Sequence, residues 1–128
     1  MCIFCKIINN EIPSYKIYED NNVLAILDIS QITYGHTLVI PKKHYENIFD
    51  IEEVDLLNIM KVVNNLSKQY KDKLNIEGIN IFNNSGEIAG QEVNHFHFHI
   101  VPRYAKEELT IKHSSNKYNL EEVYNKLK

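Results

Sequence analysis

The chain has 128 residues, 44% of them hydrophobic, enough for one core and too few for two ordinary domains, so a single domain over 1–128 is expected. Its formal net charge of -3, from 14 basic and 17 acidic residues, gives no basic footprint for a nucleic-acid backbone or an anionic membrane surface. The longest clean apolar runs, 23–27 and 38–40, fall far short of the ~20 residues of a membrane helix, and the opening MCIFCKIINNEIP lacks the apolar stretch and small-residue cleavage site of a secretory signal. A cytoplasmic protein without nucleic-acid or membrane partners is expected.

In chain order, residues 2–9 read as a short helix or knuckle, closed by polar 9–11 and by Pro13, which cannot continue a helix. Strands follow at 14–19 and 23–27, joined by the hairpin-turn chemistry of Asp20, Asn21 and Asn22, and a third runs over 37–40 to Pro41. The clearest helix starts at Asp50, whose carboxylate is placed to cap it with Glu53 reaching back, and continues to about Leu74. Its apolar stripe is Leu56, Ile59, Met60, Val63, Leu66 and Tyr70. Strands four and five are expected at 78–82 and 94–101. A final helix over 120–127 has Asn119 and Glu122 as capping residues. The order implies an α+β domain: a five-stranded, mainly antiparallel sheet, one long helix on one side, and short terminal helices.

Residues 95–101 read HFHFHIV. On a strand, His95, His97 and His99 share one face while Phe96, Phe98 and Ile100 enter the core. A merely solvated face is more cheaply built from Thr, Lys or Glu. Backbones two residues apart on a strand lie ~6.6 Å from each other, and the outer pair ~13 Å, so one metal does not easily hold all three. The spacing favours divided labour: one end structural, the middle reactive, the other end against substrate. An imidazole with one nitrogen protonated and held by an acceptor, and the other free, is a good nucleophile toward phosphorus. His97 is best placed to attack, with His99 and His36 as supports.

Cys2 and Cys5 have the spacing of a metal-binding knuckle, and a tetrahedral zinc site needs two more ligands, for which His44 and His95 are available. A redox pair, or two buried cysteines beside a surface His44, are the alternatives. His113 in the polar tail reads as solvent-exposed, and Lys42 and Lys43 as surface charges.

The HFHFHIV run is similar to the signature of the histidine triad (HIT) superfamily of nucleotide hydrolases and transferases. CIFCKII at the start, LDIS at 27–30, GHTLVIPKKH at 35–44, NNSGEIAGQ at 83–91 and PRY at 102–104 resemble the same family in the same order. The match spans about 2–104, leaving 105–128 divergent, and looks most like the bacterial zinc-containing, Hint-like members. The resemblance implies His97 as the nucleophile of a nucleotidyl-histidine intermediate, His99 as a phosphate and leaving-group contact, and His36 in the supporting network. It implies Asp28 on the ribose hydroxyls, Ile29 on the base, Asn84 toward the phosphate, and Gly90 and Gln91 in a loop that the nucleotide approaches closely. It also implies structural Zn2+ on Cys2, Cys5, His44 and His95, no catalytic metal, and a homodimer through the long helix and the strand at 78–82. Glu92 departs from the pattern, standing where many relatives carry a small hydroxyl residue, so it either repels polyphosphate or points away. The leading expectation is hydrolysis of a purine nucleoside phosphoramidate or related conjugate at the α-phosphate. A dinucleoside polyphosphate hydrolase is the alternative, and a zinc-stabilised, non-catalytic nucleotide-binding or interaction module is the alternative of a different class.

Overall fold

The computed structural model describes residues 2–128; Met1, with which the expected domain begins, lies outside the described residues. The elements run α1 (Ile3–Ile8), β1 (Lys16–Glu19), β2 (Val23–Leu27), β3 (Thr37–Pro41), α2 (Glu53–Lys73), β4 (Gly78–Phe82), β5 (Phe98–Arg103) and α3 (Leu120–Leu127). The five strands form one sheet in the order β1-β2-β3-β5-β4, with every neighbouring pair antiparallel. No helix among the described residues is long and apolar enough to cross a membrane.

The apolar runs of β2 and β3 are explained by burial on two faces. Val23, Ala25 and Val39 pack with Ile59, Val63 and Leu66 of α2. Leu24, Ile26, Leu38 and Ile40 pack on the other side with Phe4 and Ile7 of α1. The long helix thus covers one face, as its periodicity predicts, while the N-terminal knuckle covers part of the opposite face. Asp20 shapes the β1–β2 hairpin by accepting from the backbone N–H groups of Asn22 and Val23 at 2.7 and 2.8 Å.

Three expectations need correction. The long helix starts at Glu53, not Asp50, because the Asp50 carboxylate is already used by the N–H groups of Glu46 and Asn47 at 3.0 and 2.8 Å. Glu52 is the cap residue and makes no side-chain cap, so the expected Asp50–Glu53 box is not formed; acidic Glu53 and Asp55 still oppose the positive helix end, and Lys71 and Lys73 the negative one. Within α2, Val62 is buried and Met60 is not, which rotates the stripe slightly from its expected centre. The fifth strand pairs only from Phe98 onward, not from Asn94. Upstream of it the backbone bonds elsewhere: Phe96 N–H donates to the Tyr45 carbonyl at 2.7 Å, and the His97 carbonyl accepts from Asn83 Nδ2 at 2.9 Å.

After β5 the chain turns around Arg103, whose guanidinium donates to Asn80 and to the carbonyls of Ala105, Lys106 and Leu109 and pairs with Glu108. His113 is exposed in the tail, and α3 is capped by Asn119, which accepts from the N–H groups of Glu121 and Glu122. Lys42 and Lys43 pair with Glu19 and Glu52 at the surface.

Candidate functional site

Two adjoining clusters lie on the α1 side of the sheet. The first is the knuckle. Cys2 is the N-cap of α1, and its sulfur accepts the Cys5 N–H at 3.2 Å, which turns both side chains the same way. His44 follows β3, and His95 precedes β5. The four ligand atoms define all six edges of a tetrahedron: S···S 3.1 Å, Nδ1···Nδ1 3.1 Å, and S···N separations of 3.3 and 3.6 Å to each sulfur. Zinc bonds of about 2.3 Å to sulfur and 2.0–2.1 Å to nitrogen require edges of about 3.8 Å for S···S, 3.3 Å for N···N and 3.5 Å for S···N. The S···N and N···N edges agree within a few tenths of an ångström, and the sulfur pair has to open by about 0.7 Å. Buried His95 directs Nε2 to the Pro41 carbonyl at 2.8 Å, so that nitrogen carries the proton and Nδ1 presents a lone pair to the cluster. Burial holds His95 down to about 4, which keeps it neutral. Burial, and then Cys2, push the Cys5 thiol up to about 11; a bound dication reverses that preference. The donor set fits a tetrahedral zinc ion, which these four residues could hold.

The second cluster contains His97, His99, His36 and Asp28. Although residues 95–97 lie outside the sheet ladder, the alternation persists: Phe96 and Phe98 stack edge to face at 5.4 Å in or against the α2-side core, while the histidines occupy the other side. His97 and His99 rings lie 4.9 Å apart, centroid to centroid. Phe82 stacks on His99 at 4.5 Å. Phe4, between the two cysteines, sets its ring edge to face against His95 and His97 at 5.8 and 5.1 Å. The knuckle therefore supports the second cluster directly.

Hydrogen bonds fix the tautomers. Burial lowers the pKa of His36 and His97, and burial followed by His97 and His36 lowers His99 to about 4, so these rings are neutral at neutral pH. The Ile32 N–H donates to His36 Nδ1 at 3.2 Å, which leaves the proton on His36 Nε2. That group donates to His99 Nδ1 at 2.9 Å, which leaves the proton of His99 on Nε2. His97 donates from Nδ1 to the His95 carbonyl at 2.7 Å, so its Nε2 is the free base. The arrangement pairs one imidazole lone pair with one imidazole proton on adjacent rings. Asp28, His36 and His99 also converge closely, but the 2.9 Å between the rings is a hydrogen bond.

His97 and His99 line a cavity of about 330 Å3 with Asp28, Asn84, Gly90 and Glu92 on its polar side and Ile3, Phe4, Ile32 and Leu38 among its apolar walls. Asp28 gives one oxygen to the Ser30 N–H at 2.8 Å and holds the other 3.6 Å from His36 Nε2. Ile29 beside it is wholly exposed. Gly90 has a left-handed φ of +91°, and a Cβ there would stand 3.6 Å from Asn84 Nδ2, so this turn is best served by glycine. Gln91 is buried and its amide is fully used, accepting from Gly86 N–H and donating to the carbonyls of Glu46 and Val93. Glu92, one of two orientations left open by the sequence, lines the cavity.

Sequence reasoning missed Gln31, Asn83 and Phe4. Gln31 ties the 28–36 loop by donating to the carbonyls of Asp28 and His36 and accepting from Gly35 and His36 N–H groups. A polar residue in a loop carries no mark of such a role. Phe4 could have been found, since the residue between two knuckle cysteines must face whatever the knuckle covers.

Residues 9–106 match the family model described as HIT domain. An uncharacterized HIT-like protein of Methanocaldococcus jannaschii is 50% identical over 129 residues, covering 100% of this chain and 99% of that protein. The adenosine 5'-monophosphoramidase HNT1 of Saccharomyces cerevisiae is 43% identical over 102 residues, covering 80% of this chain and 62% of the yeast protein. Among solved structures, a zinc-bound histidine triad family protein from Mycobacterium smegmatis superposes with a TM-score of 0.81 at 37% identity, covering 90% of this chain and 84% of that one. With the family match across most of its length and a 50% identical relative spanning all of it, the chain belongs to the HIT-domain family.

Proposed function

We propose that this chain, acting as one HIT-like domain, is a nucleotide hydrolase that works at the α-phosphate of a purine nucleoside phosphoramidate or related conjugate through a nucleotidyl-His97 intermediate. The observation that carries this reading is the tautomer pair: a free base on His97 Nε2 beside a proton on His99 Nε2. His97 Nε2 forms a bond to phosphorus as the bond to the leaving nitrogen breaks. The electron pair leaves on that nitrogen, which takes a proton from solvent and departs as the amine, while the His99 Nε2–H donates a hydrogen bond to the departing group and stays neutral. Water then attacks phosphorus, loses its proton to solvent, and releases the nucleoside monophosphate and neutral His97. His36 holds His99 Nδ1 as an acceptor throughout, which prevents the wrong tautomer from forming. The name of the yeast relative, a monophosphoramidase, supports the same reaction class.

In this reading the free Asp28 oxygen accepts from the ribose hydroxyls, Ile29 covers the base, and Asn84 and the Gly90 backbone approach the phosphate. Gln91 acts by holding that loop, because its amide is already committed. Cys2, Cys5, His44 and His95 hold zinc, which supplies rigidity when bound. A homodimer joined through α2 and the sheet-edge strand β4 accords with the exposed Val54, Leu57 and Met60 on that helix, and a monomeric mass by light scattering at micromolar concentration would contradict it.

The test is a turnover panel of adenosine 5'-phosphoramidate and a dinucleoside polyphosphate with the wild type and His97→Ala. The phosphoramidate should be hydrolysed by the wild type, and the substitution should lower kcat by at least about a thousandfold while nucleotide binding persists. Faster turnover of the polyphosphate would favour that substrate class. A wild type inert toward both, yet binding nucleotide, would favour the non-catalytic module.

A further inference from the structure

Glu92 occupies a boundary. It and Gly90 line both the catalytic cavity and an adjoining cavity of about 480 Å3, whose other walls are Glu87, Gln91 and Asn94. A group leaving phosphorus in that direction passes the Glu92 carboxylate. Among the described residues, no lysine or arginine lines either cavity. Glu87 adds a second carboxylate to the wall of the adjoining cavity. Glu92 is exposed and makes no hydrogen bond or ion pair among the described residues.

We infer that Glu92 determines leaving-group specificity, favouring an amine that bears a second positive charge over a neutral amine and disfavouring a phosphate leaving group. This rests on the hydrolase reading above. An ammonium on the departing amine meets the unpaired carboxylate, whereas a polyphosphate brings further negative charge to a cavity with no cation to receive it. The carboxylate is exposed, so the preference is modest and sensitive to salt.

The experiment compares kcat/KM for two adenosine phosphoramidates, one with 1,2-diaminoethane as leaving amine and one with its neutral mono-N-acetyl derivative. It uses the wild type, Glu92→Gln and Glu92→Lys at low ionic strength. The wild type should prefer the charged amine by about three- to fivefold, the range of an exposed ion pair. Glu92→Gln should bring the ratio close to one, Glu92→Lys should reverse it, and about 1 M salt should flatten the wild-type ratio. Because the ratio is internal to each protein, a general loss of activity does not affect it. Turnover with the same ratio in all three proteins overturns the role of Glu92 and leaves the hydrolase reading standing. Absence of turnover of both phosphoramidates by the wild type overturns both.

Discussion

The backbone carbonyl of His95 accepts a hydrogen bond from His97 Nδ1 at 2.7 Å. The same residue offers its own Nδ1 to the Cys2, Cys5 and His44 cluster and anchors its Nε2 on Pro41. One residue therefore joins the candidate zinc site to the tautomer of the candidate nucleophile, and a disturbance in the knuckle has a short path to His97.

Phe4 is the second link on that path. Its buried ring touches His95 and His97, so Phe4→Ala leaves a cavity under both imidazoles. Truncation of a buried phenylalanine costs about 3–5 kcal/mol, which urea denaturation measures. The same variant should lower kcat, because His97 loses its support, and should also raise KM, because Phe4 is itself part of the cavity wall. Phe4→Leu should recover most of the stability. An unchanged midpoint for Phe4→Ala would contradict the packing role.

Metal analysis of protein purified without a tag should find about one zinc per chain, and Cys5→Ser should lower that occupancy. Chelator treatment should depress Tm of the wild type, since a metal that binds only the folded chain stabilises it by mass action. A chelator-insensitive Tm, with less than a few tenths of an equivalent bound, would reject the site.

The fold and the gathering of the candidate histidines on one side of the sheet were largely legible from residue pattern, for physical reasons visible in single elements. Continuous apolar β2 demanded burial, and the 3.6-residue period of α2 gave its inner face. Alternation at 96–100 separated imidazoles from core rings even though pairing begins only at Phe98. What escaped was tertiary competition for polar groups. Asp50 has the sequence signature of a cap but is taken by the turn at 46–47, and Gln91 has the look of a ligand residue but is used by three backbone groups. The second cover of the sheet by α1 was hidden because six residues are too short for a clear periodic face.

Acid should weaken the fold through His99. Its folded pKa is about 4 against an ordinary 6.5, so the unfolded chain binds the extra proton first. The stabilising contribution of the neutral ring is complete above about 6.5 and is lost as pH falls toward about 4. Urea midpoints of the zinc-loaded protein should decline across that window, and His99→Gln should shrink the decline. An identical slope in both proteins would contradict the assignment.

The central claim is that turnover passes through a covalent nucleotide on His97. Rapid mixing with adenosine-labelled phosphoramidate, quenching in alkaline denaturant and peptide mapping by mass spectrometry test it directly. The account predicts an acid-labile nucleotidyl adduct on the peptide carrying His97, formed and consumed at rates compatible with kcat and absent from His97→Ala. Full turnover with no protein-bound nucleotide at any time, or an adduct on another residue, would contradict it.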